Sequence, residues 1–509
     1  SASYGGPERE SMSVPVMQIQ STPTLADLLH GYADAPELPL SGIASDSRDV
    51  SEGGLFLACQ GIDSHGLDYL SAALAAGAVA VAWDVSTAAS PGEIAVPAIA
   101  VENLGARLGE IANRYYGHPS SELQTIGVTG TNGKTTVSWL LAQCLRQLDQ
   151  RCGYIGTLGI GIDELHGEKG MTTPAAVELH GQLAGFVEQG ASHVVLEVSS
   201  HALVQGRVDG VSFDAVLFTN LSRDHLDYHG DMKSYFEAKA SLFAEYPSNL
   251  KIVNVDSEFG AELAARCGAE TVFVSTDVDR IANGDSYIIV RSIVATQKGS
   301  EIRFESSWGN GSFAFPLPGE FNVANAVSVL AYLLASEVDI EQACDVLSLA
   351  TAPAGRMQNV ASSGTAIYID YAHTPDAIES ALRALRPHSS GKLWCVFGCG
   401  GDRDVGKRSQ MGELAEALAD KIVITTDNPR NESPSAIIDA ILSGLVSPGS
   451  ATVIEDRAAA IAWTIGNAAP ADLVLIAGKG HEECQEVDGK RLPFSDLAMA
   501  AAAATGARS

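Results

Sequence analysis

The sequence predicts an α/β protein with three domains. Its 509 residues exceed the roughly 300 at which a single hydrophobic core stops growing, and about 150 residues per domain give about three domains. Short apolar runs alternate with helix-like segments along most of the chain, a pattern typical of parallel sheets covered by helices. Residues 352–356, Ala-Pro-Ala-Gly-Arg, resemble a linker, and the alternation restarts beyond them.

Composition indicates a folded protein. Hydrophobic residues make up 46% and charged residues 18% of the chain, which excludes a disordered or collagen-like protein. The longest stretches without Asp, Glu, Lys or Arg, residues 11–26 and 321–336, are shorter than the roughly 18 apolar residues that a membrane-spanning helix requires. Residues 1–14 have neither a basic segment nor an apolar core. We therefore expect a disordered start or a cloning remnant there, and a cytoplasmic protein.

The charge balance argues against polyanionic partners. The 62 acidic and 32 basic side chains leave a formal net charge of −30, which repels nucleic acids and anionic membrane surfaces. If the ligands are anionic nucleotides, local cations or metal ions must reverse this field. The eight cysteines lack the paired spacings of a zinc site, and we expect reduced thiols in the core.

The first two domains are predicted at residues 15–118 and 119–351. In the first, strand-like runs at 54–59, 78–83 and 95–101 accompany a helical segment at 69–77. In the second, strand-like runs indicate a parallel sheet at 123–129, 194–198, 215–219 and 251–255, with a helix at 136–148. Alternating residues at 286–293, 301–304 and 312–315 predict an antiparallel extension of that domain, closed by a helix at 322–334.

The third domain is predicted at residues 352–509. Strand-like runs occur at 366–370, 392–398, 421–425 and 472–478. The glycine cluster at 398–401 looks like a dinucleotide fingerprint, but the third glycine of G-x-G-x-x-G would fall on Arg403. An NAD site is therefore not expected in this domain.

Residues 127–136, GVTGTNGKTT, carry the strongest chemical signal. They lie between a predicted strand and a predicted helix, as a phosphate-binding loop does. Backbone N–H groups of such a loop surround phosphate, Lys134 would reach the outer phosphate oxygens, and the Thr135 hydroxyl would bind Mg²⁺. Nucleotide binding is therefore predicted for Gly130, Thr131, Asn132, Gly133, Lys134, Thr135 and Thr136.

The spacing G-x-x-G-T-N-G-K-T resembles the loop of the Mur ligase family and the related folylpolyglutamate synthetases, not that of GTPases or ATP-driven motors. Six further segments are similar to signatures of that family, in its order: EVSSH at 197–201, TNLSRDHLD at 219–227, EAK at 237–239, NVANA at 322–326, DYAHTP at 370–375 and GKGHE at 478–482. Within the family, TTP at 172–174, DNPR at 427–430 and the GKGHE segment resemble the enzyme that adds meso-diaminopimelate to UDP-N-acetylmuramoyl-L-alanyl-D-glutamate.

The resemblance implies an ATP- and Mg²⁺-dependent amide ligase of cytoplasmic peptidoglycan precursor synthesis. Its three domains would be an N-terminal uridine-nucleotide domain, a central ATPase domain and a Rossmann-like C-terminal domain that binds the amino acid. ATP would phosphorylate the substrate carboxylate, an amine would attack the acyl phosphate, and phosphate would leave. The anionic groups of the reactants must share one pocket. A loop lysine and two Mg²⁺ ions can offset their negative charge. The resemblance also implies a monomer with small-molecule substrates.

The matched positions imply roles for individual residues. The implied catalytic residues are Lys134, Glu197, His225 and Lys239. The implied metal ligands are Thr135, Glu197, His225 and Lys239, the last as a carbamate. Further nucleotide contacts are implied for Asn325, Arg356 and Asp370.

Substrate contacts are implied at both ends of the chain. The UDP-muramoyl-dipeptide would be bound by Ser45, Ser47, Thr172, Thr173, Ser199, Gln205 and Arg207. Diaminopimelate would be bound by Arg403, Asp427, Asn428, Pro429, Arg430, Gly478 and Glu482. Because lysine lacks the distal carboxylate of diaminopimelate, Arg430 is the leading candidate to select it with a planar guanidinium, and Gly478 and Glu482 would receive the distal ammonium.

Ordinary structural interpretations stay open for several of these residues. Glu197, His225 and Arg430 could be solvated polar residues, Lys239 a surface lysine on a helix, and Arg356 a linker charge. Asn325 and Ser47 could cap helices, and the Thr172 and Thr173 pair could serve surface packing.

Two other functions are also open. The same ligase chemistry could use L-lysine, or folate with glutamate, although the DNPR segment argues against both. Alternatively, the chain could be a nucleotide-switched binding module that forms no bond. Such a switch has no need of Lys239, His225 and a third domain rich in candidate amino-acid ligands.

Overall fold

The computed structural model describes residues 22–61, 64–166, 172–268, 270–280, 286–296, 298–360 and 364–506. The expectation for residues 1–14 lies outside the described residues. Contacts divide the chain into two compact units, which we describe separately. The first unit runs to Gly130 and includes Asp149–Leu217 and Arg223–Lys251, and the second comprises Thr131–Leu148, Phe218–Ser222 and the chain from Ile252 onward. The predicted boundaries after residues 118 and 351 stay predictions.

The N-terminal part of the first unit contains a four-stranded parallel sheet in the order β1-β2-β3-β4. Its elements are α1 (Leu25–Leu29), β1 (Gly42–Ala44), β2 (Gly54–Ala58), α2 (Leu70–Ala75), β3 (Ala80–Asp84), β4 (Ala98–Val101) and α3 (Leu108–Tyr115). Alternate residues of β2 and β3 enter two apolar clusters on opposite faces of the sheet: Leu55 and Leu57 enter one, and Phe56 and Ala58 the other. Burial on both faces explains the continuous apolar runs in the sequence.

Strands and helices alternate through the middle of the chain. The elements are β5 (Gln124–Thr129), α4 (Lys134–Gln147), β6 (Cys152–Gly156), β7 (Gly159–Gly161), α5 (Ala176–Glu188), β8 (His193–Glu197), α6 (Ser200–Val204), β9 (Ala215–Phe218), α7 (Leu226–His229), α8 (Met232–Ala244), β10 (Leu250–Asn254), α9 (Glu258–Arg266), β11 (Thr271–Ser275), β12 (Ser286–Thr296), β13 (Gly299–Ser306), β14 (Gly309–Phe315), α10 (Glu320–Ala335) and α11 (Ile340–Ser348).

Each unit has its own set of middle strands. In the first unit the order is β9-β5-β8-β6-β7, with β8 parallel to both β5 and β6. In the second unit, β12, β13 and β14 form an antiparallel meander whose first strand is parallel to β11. The antiparallel extension expected from residue alternation is therefore confirmed.

The C-terminal part of the second unit contains a six-stranded sheet in the order β15-β16-β20-β17-β18-β19. The elements are β15 (Gln358–Val360), β16 (Ala366–Asp370), α12 (Pro375–Leu385), β17 (Leu393–Phe397), α13 (Gly406–Leu418), β18 (Lys421–Ile424), α14 (Pro434–Leu442), β19 (Thr452–Val453), α15 (Arg457–Asn467), β20 (Leu473–Ala477), β21 (Cys484–Val487), β22 (Lys490–Pro493) and α16 (Asp496–Gly506). Strands β16, β20, β17 and β18 are mutually parallel, so the loops that follow them leave from the same edge of the sheet.

Local sequence specifies these elements clearly in α12. The Thr374 hydroxyl accepts the Ala377 N–H at the helix start, and Pro375 occupies the first turn, where it has no hydrogen bond to lose. Ile378 and Leu382 recur at helical spacing and are fully buried in the core beneath the sheet. Capping and periodicity therefore agree on this helix.

Two expectations from composition can be compared with the structure. Among the described residues, no helix is long and apolar enough to cross a membrane. Five cysteines are buried free thiols: Cys144, Cys152, Cys344, Cys395 and Cys399. The other three are partly exposed rather than core residues: Cys59, Cys267 and Cys484.

Candidate active site

The phosphate-binding loop of the second unit is braced by the segment that follows β9. The Thr131 N–H donates to the Asn220 carbonyl at 2.9 Å, and the Asn132 N–H donates to Asn220 Oδ1 at 3.0 Å. The Thr219 hydroxyl donates in turn to the Asn132 carbonyl at 2.6 Å. Lys134 Nζ donates to the Thr131 carbonyl at 3.0 Å. These bonds hold the loop backbone in shape.

Gly133 joins this loop to α4. Its φ of +87° lies in the left-handed region, and a Cβ there would lie 2.5 Å from Asn325 Oδ1. Asn325 therefore touches the loop, as expected of two parts of one nucleotide site. The helix-cap interpretation of Asn325 is wrong, because Asn325 lies inside α10, whose cap position is Gly319. Since Thr135 and Thr136 occupy the first turn of α4, the loop fits a nucleotide phosphate.

Next to Asn325, the second unit has an open pocket of about 210 Å³. Its lining is largely polar and comprises Thr219, Asn220, Asn254, Asp256, Thr276, Glu320, Phe321, Ala324, Asn325 and Ser328. Asp256 is fixed by donors that include the Thr276 N–H and hydroxyl. Among these residues, only Asn325 was assigned a role from the sequence, although Thr219, Asn220 and Ala324 lie in segments that resemble family signatures.

Arg356 and Asp370 also come together in the second unit. Asp370 accepts the N–H groups of Met357 at 2.8 Å and Ala372 at 2.9 Å, which ties the 353–357 turn to the end of β16. Burial raises the pKa of Asp370, and the Arg356 guanidinium acts against that shift. The guanidinium carbon lies 5.2 Å from the Tyr371 ring centroid, so Arg356 is more than a solvated linker charge.

In the first unit, Glu197 ends β8 and is fully buried. Its Oε1 accepts the Tyr154 hydroxyl and the Thr157 N–H, and its Oε2 accepts the Thr157 hydroxyl at 3.1 Å. Burial and these bonds contradict a solvated strand-end carboxylate. Sequence analysis missed Tyr154 and Thr157, which hold the carboxylate in one orientation.

Lys239 is also buried, with 1% of its surface exposed. Its Nζ donates to the Gly130 carbonyl at 2.7 Å and lies 4.7 Å from the Tyr235 ring centroid. The interpretation of Lys239 as a surface lysine is therefore wrong. His225, by contrast, is largely exposed at the start of α7 and packs edge-on against His201, with ring centroids 4.9 Å apart.

The side chains that could act as ligands decide whether the protein is suited to Mg²⁺. Among the described residues, no group of three or more His, Cys, Asp or Glu side chains is arranged to hold a metal ion. Mg²⁺ needs few protein ligands, because it keeps several waters and binds substrate phosphate oxygens. The fixed carboxylate of Glu197 in the first unit is an oxygen ligand of the kind that Mg²⁺ prefers, and so, taken separately, is the Thr135 hydroxyl in the second unit.

Five predicted substrate residues of the first unit are joined, through Thr157 and Glu197, into one chain of hydrogen bonds. The Thr157 hydroxyl is 3.2 Å from that of Thr172, and Thr173 Oγ1 donates to the Glu197 carbonyl at 2.7 Å and accepts the Ser199 N–H at 3.1 Å. Arg207 Nη1 donates to the Thr173 carbonyl at 2.9 Å, and its Nε donates to Gln205 Oε1 at 2.9 Å. The residues that the structure brings together are Thr172, Thr173, Ser199, Gln205 and Arg207.

Ser45 and Ser47 follow β1 in a half-buried turn. The turn is held by Arg48, whose backbone N–H and Nε donate to Asp46 Oδ1. No helix begins at Ser47, so the cap interpretation of that residue is wrong. Among the hydrogen bonds of the described residues, none joins either serine to the Thr172–Arg207 chain.

In the C-terminal sheet, the loops after β17, β18 and β20 pack against one another. A Cβ at Gly401 would lie 1.9 Å from the Pro429 carbonyl oxygen, and one at Gly400 would lie 3.0 Å from Arg430 Nη1 and 3.8 Å from Arg403 Cγ. The glycine cluster therefore makes room for the 427–430 loop. This close approach explains a glycine run that does not match a dinucleotide fingerprint.

Lys479 links the remaining predicted diaminopimelate residues. Its buried Nζ donates to Asn428 Oδ1 at 2.8 Å, to Glu482 Oε2 at 3.0 Å and to Asp427 Oδ1 at 3.4 Å. Burial raises the pKa of Glu482, but Lys479 and Asn428 outweigh it, so the pKa lies below its usual value. Glu482 is therefore charged at neutral pH and suited to an ammonium group. Gly478 stands directly before Lys479, with a φ of +120°.

Fold and site together define an α/β protein with a phosphate-binding loop and a cluster of charged side chains on the loops that follow the parallel strands of its C-terminal sheet. Three segments match profiles of known families: Mur ligase family, catalytic domain at residues 39–116, Mur ligase middle domain at 128–333 and Mur ligase, glutamate ligase domain at 355–480. The chain belongs to the Mur ligase family.

Similar proteins share one name. The UDP-N-acetylmuramoyl-L-alanyl-D-glutamate–2,6-diaminopimelate ligase of Pseudomonas syringae pv. tomato is 44% identical, over 90% of this chain and 93% of its own. That of Coxiella burnetii is also 44% identical, over 90% and 94%. A solved structure of a ligase with the same name is 33% identical with a TM-score of 0.73, and the match covers 96% of this chain and 99% of that one.

Proposed function

We propose that the chain is the ATP- and Mg²⁺-dependent ligase that adds meso-diaminopimelate to UDP-N-acetylmuramoyl-L-alanyl-D-glutamate, giving ADP and phosphate. The observation that carries this proposal is the C-terminal loop set, in which Arg430 and Glu482 offer a cation and an anion on neighbouring loops. Meso-diaminopimelate carries a carboxylate and an ammonium at its distal end and matches this pair, whereas L-lysine lacks the carboxylate. The relatives that share the diaminopimelate ligase name support the same substrate.

The residues of the second unit serve the nucleotide and the amine. ATP supplies the phosphoryl group that activates the glutamate carboxylate. The loop residues from Thr131 to Thr136 bind the phosphates, and Lys134 offsets charge that develops during transfer. Asn325, Arg356 and Asp370 contact the nucleoside. Arg403 and Arg430 bind the distal carboxylate of diaminopimelate, while Gly478 and Glu482 take its ammonium.

The residues of the first unit serve the acceptor substrate and the metal. Arg207 is already ordered by Gln205 and Thr173, so its guanidinium can bind a substrate carboxylate at low entropic cost. Ser45 and Ser47 contact the uridine end. In the first unit, Glu197, His225 and Lys239 as a carbamate would be ligands for Mg²⁺, and in the second unit Thr135 would be one; the ion would supply charge neutralisation to the reacting anions. This step belongs to cytoplasmic peptidoglycan precursor synthesis and is carried out by a monomer.

Phosphate release tests the proposal against its alternatives. The purified chain is mixed with ATP, Mg²⁺ and UDP-N-acetylmuramoyl-L-alanyl-D-glutamate, and phosphate is measured with diaminopimelate, with L-lysine, with folate and glutamate in place of the nucleotide substrate, and with no amine. We expect sustained release only with diaminopimelate. Equal release with lysine would reassign the amine, and no amine-dependent release would favour a nucleotide-switched binding module.

A further inference from the structure

Arg430 is held in an unusual conformation by the β21–β22 hairpin. Its φ of +51° lies in the left-handed region, a backbone conformation that residues with a side chain such as arginine rarely adopt. The Arg430 N–H donates to the Glu486 carbonyl at 3.0 Å, and the Asp488 N–H donates to the Arg430 carbonyl at 2.8 Å. The hairpin therefore offsets the backbone strain at Arg430 with two hydrogen bonds.

The same strand contacts the residues that precede Arg430. Gln485 Nε2 donates to the Asp427 carbonyl at 2.7 Å, and the Glu486 N–H donates to Asn428 Oδ1 at 3.0 Å. Strand β21 thus follows the whole DNPR segment and fixes its path.

The Glu486 side chain completes this arrangement. Its Oε2 accepts from Arg430 Nε at 2.9 Å, while Arg430 Nη1 donates to the Gly401 carbonyl at 2.7 Å. Among contacts of the described residues, these two bonds use two of the five guanidinium N–H donors. Donors on Nη1 and Nη2 remain for a ligand, while Glu486 occupies the Nε edge. A substrate carboxylate is therefore directed to the end of the guanidinium.

We propose that Glu486 is a positioning residue for amine selection, which holds the Arg430 guanidinium ready for the distal carboxylate of diaminopimelate. The inference rests on the proposed function, since it presupposes that Arg430 binds that carboxylate. An arginine side chain without this anchor samples several rotamers and loses that freedom on binding, which weakens affinity. The Arg430 and Glu486 side chains are 26% and 33% exposed, so their pair is accessible to substrate and partly shielded from solvent.

The experiment compares Glu486→Gln with Asp488→Asn in the full-length enzyme. Both changes remove one negative charge from the same hairpin, but the Asp488 side chain has no described contact with Arg430, and asparagine tolerates the left-handed backbone at that position. We expect Glu486→Gln to raise the KM for diaminopimelate about tenfold, as for loss of a charge-assisted hydrogen bond. The KM values for ATP and the UDP-muramoyl-dipeptide, and the kcat/KM for L-lysine, should stay unchanged, and Asp488→Asn should behave like wild type.

A double-mutant cycle separates positioning from a general structural effect. In an Arg430→Lys background the Glu486→Gln change should have little further effect, because the group that it positions is gone. Equal effects in both backgrounds, or parallel changes in all three KM values, would overturn the inference. Glu486→Asp provides a second variant with its charge retained, and we expect it to keep more diaminopimelate affinity than Glu486→Gln.

The activity of the wild type distinguishes failure of the positioning role of Glu486 from failure of the proposed function. If wild type turns over diaminopimelate and Glu486→Gln has an unchanged KM for it, the positioning role alone is wrong. If wild type does not use diaminopimelate, the proposed function fails and the positioning role fails with it.

Discussion

Among single residues, Arg430 is the one that we propose selects the amine. Its backbone is held by β21, and its side chain is held by Gly401 and Glu486. A lysine in its place has a single ammonium group. It lacks the planar fork with which a guanidinium can hydrogen-bond to the hairpin and to a carboxylate at the same time.

Arg430→Lys is therefore expected to raise the KM for diaminopimelate by roughly tenfold to a hundredfold, the effect of losing one or two charge-assisted hydrogen bonds. The KM values for ATP and the UDP-muramoyl-dipeptide should change little. Steady-state kinetics with each substrate varied in turn measures this. Full affinity for diaminopimelate in the variant would contradict the assignment of Arg430.

Lys239 resembles an exposed helical lysine in the sequence but is buried in the structure. It is buried beside the Gly130 carbonyl and the Tyr235 ring, a site where a plain ammonium is costly to desolvate. A carbamate on this lysine would supply carboxylate oxygens for Mg²⁺.

Lys239→Ala is expected to lose most activity and to recover part of it when short carboxylic acids are added. Lys233→Ala, an exposed change on the same helix, should keep wild-type activity and is the matched control. Circular dichroism checks that both variants fold. An absence of rescue, together with no carbamate signal in ¹³C NMR after labelling with ¹³C-bicarbonate, would exclude the modification.

Sequence motifs pointed to the proposed site residues but not to the side chains that contact them. Lys134, Glu197 and Arg430 lie in segments that resemble family signatures. Tyr154 and Glu486 carry no such signature, because each contacts its partner side chain across a long sequence separation. Only the folded chain brings these pairs together.

Several buried elements were predictable from the sequence, although the buried strand β6 was missed. Strands such as β16 and β20 are apolar on both faces, and their limits in the sequence and the structure agree within one residue. The two-residue strand β19 and the polar hairpin β21–β22 were missed, because short or half-exposed strands have no apolar period to detect.

At the scale of elements, Asp472 joins the starts of β17 and β20. Its Oδ1 accepts the Lys392 N–H at 2.8 Å, and its Oδ2 accepts Trp394 Nε1–H at 2.9 Å and the Ala469 N–H at 3.0 Å. Burial raises the pKa of Asp472, but the three hydrogen bonds outweigh it, so the pKa lies below its usual value. A carboxyl with a lowered pKa stabilises the fold above the unfolded value of about 3.9, and this contribution is lost as the pH falls through the folded value.

Asp472→Asn is expected to lower the free energy of unfolding by about 1–3 kcal/mol at pH 7, because the new amide cannot accept all three bonds. The difference from wild type should be constant above about pH 5 and should narrow toward pH 3. Urea unfolding followed by tryptophan fluorescence at several pH values measures it. Asp439→Asn, at an exposed position of α14, is the control. A difference that stays the same down to pH 3 would contradict the linkage.

At the scale of the whole molecule, the protein combines a net charge of −30 with two proposed anionic substrates, ATP and the UDP-muramoyl-dipeptide. We propose that local cations offset this repulsion in each unit: Arg207 in the first, and Lys134 and Arg356 in the second. The net negative charge disfavours binding of polyanions, while each proposed site keeps cations for its small anionic ligand.

Competition between meso-diaminopimelate and L-lysine measures the selection of the amine directly. The enzyme, ATP, Mg²⁺ and UDP-N-acetylmuramoyl-L-alanyl-D-glutamate are incubated with equal concentrations of meso-diaminopimelate and L-lysine, and the nucleotide products are identified by mass. A site built for a charged group leaves its own charge unpaired when that group is missing. The enzyme should therefore prefer diaminopimelate over lysine by a factor on the order of 10³ or more. We expect the diaminopimelate product with almost no lysine product. Comparable amounts of both, or neither product while ATP is bound, would contradict it.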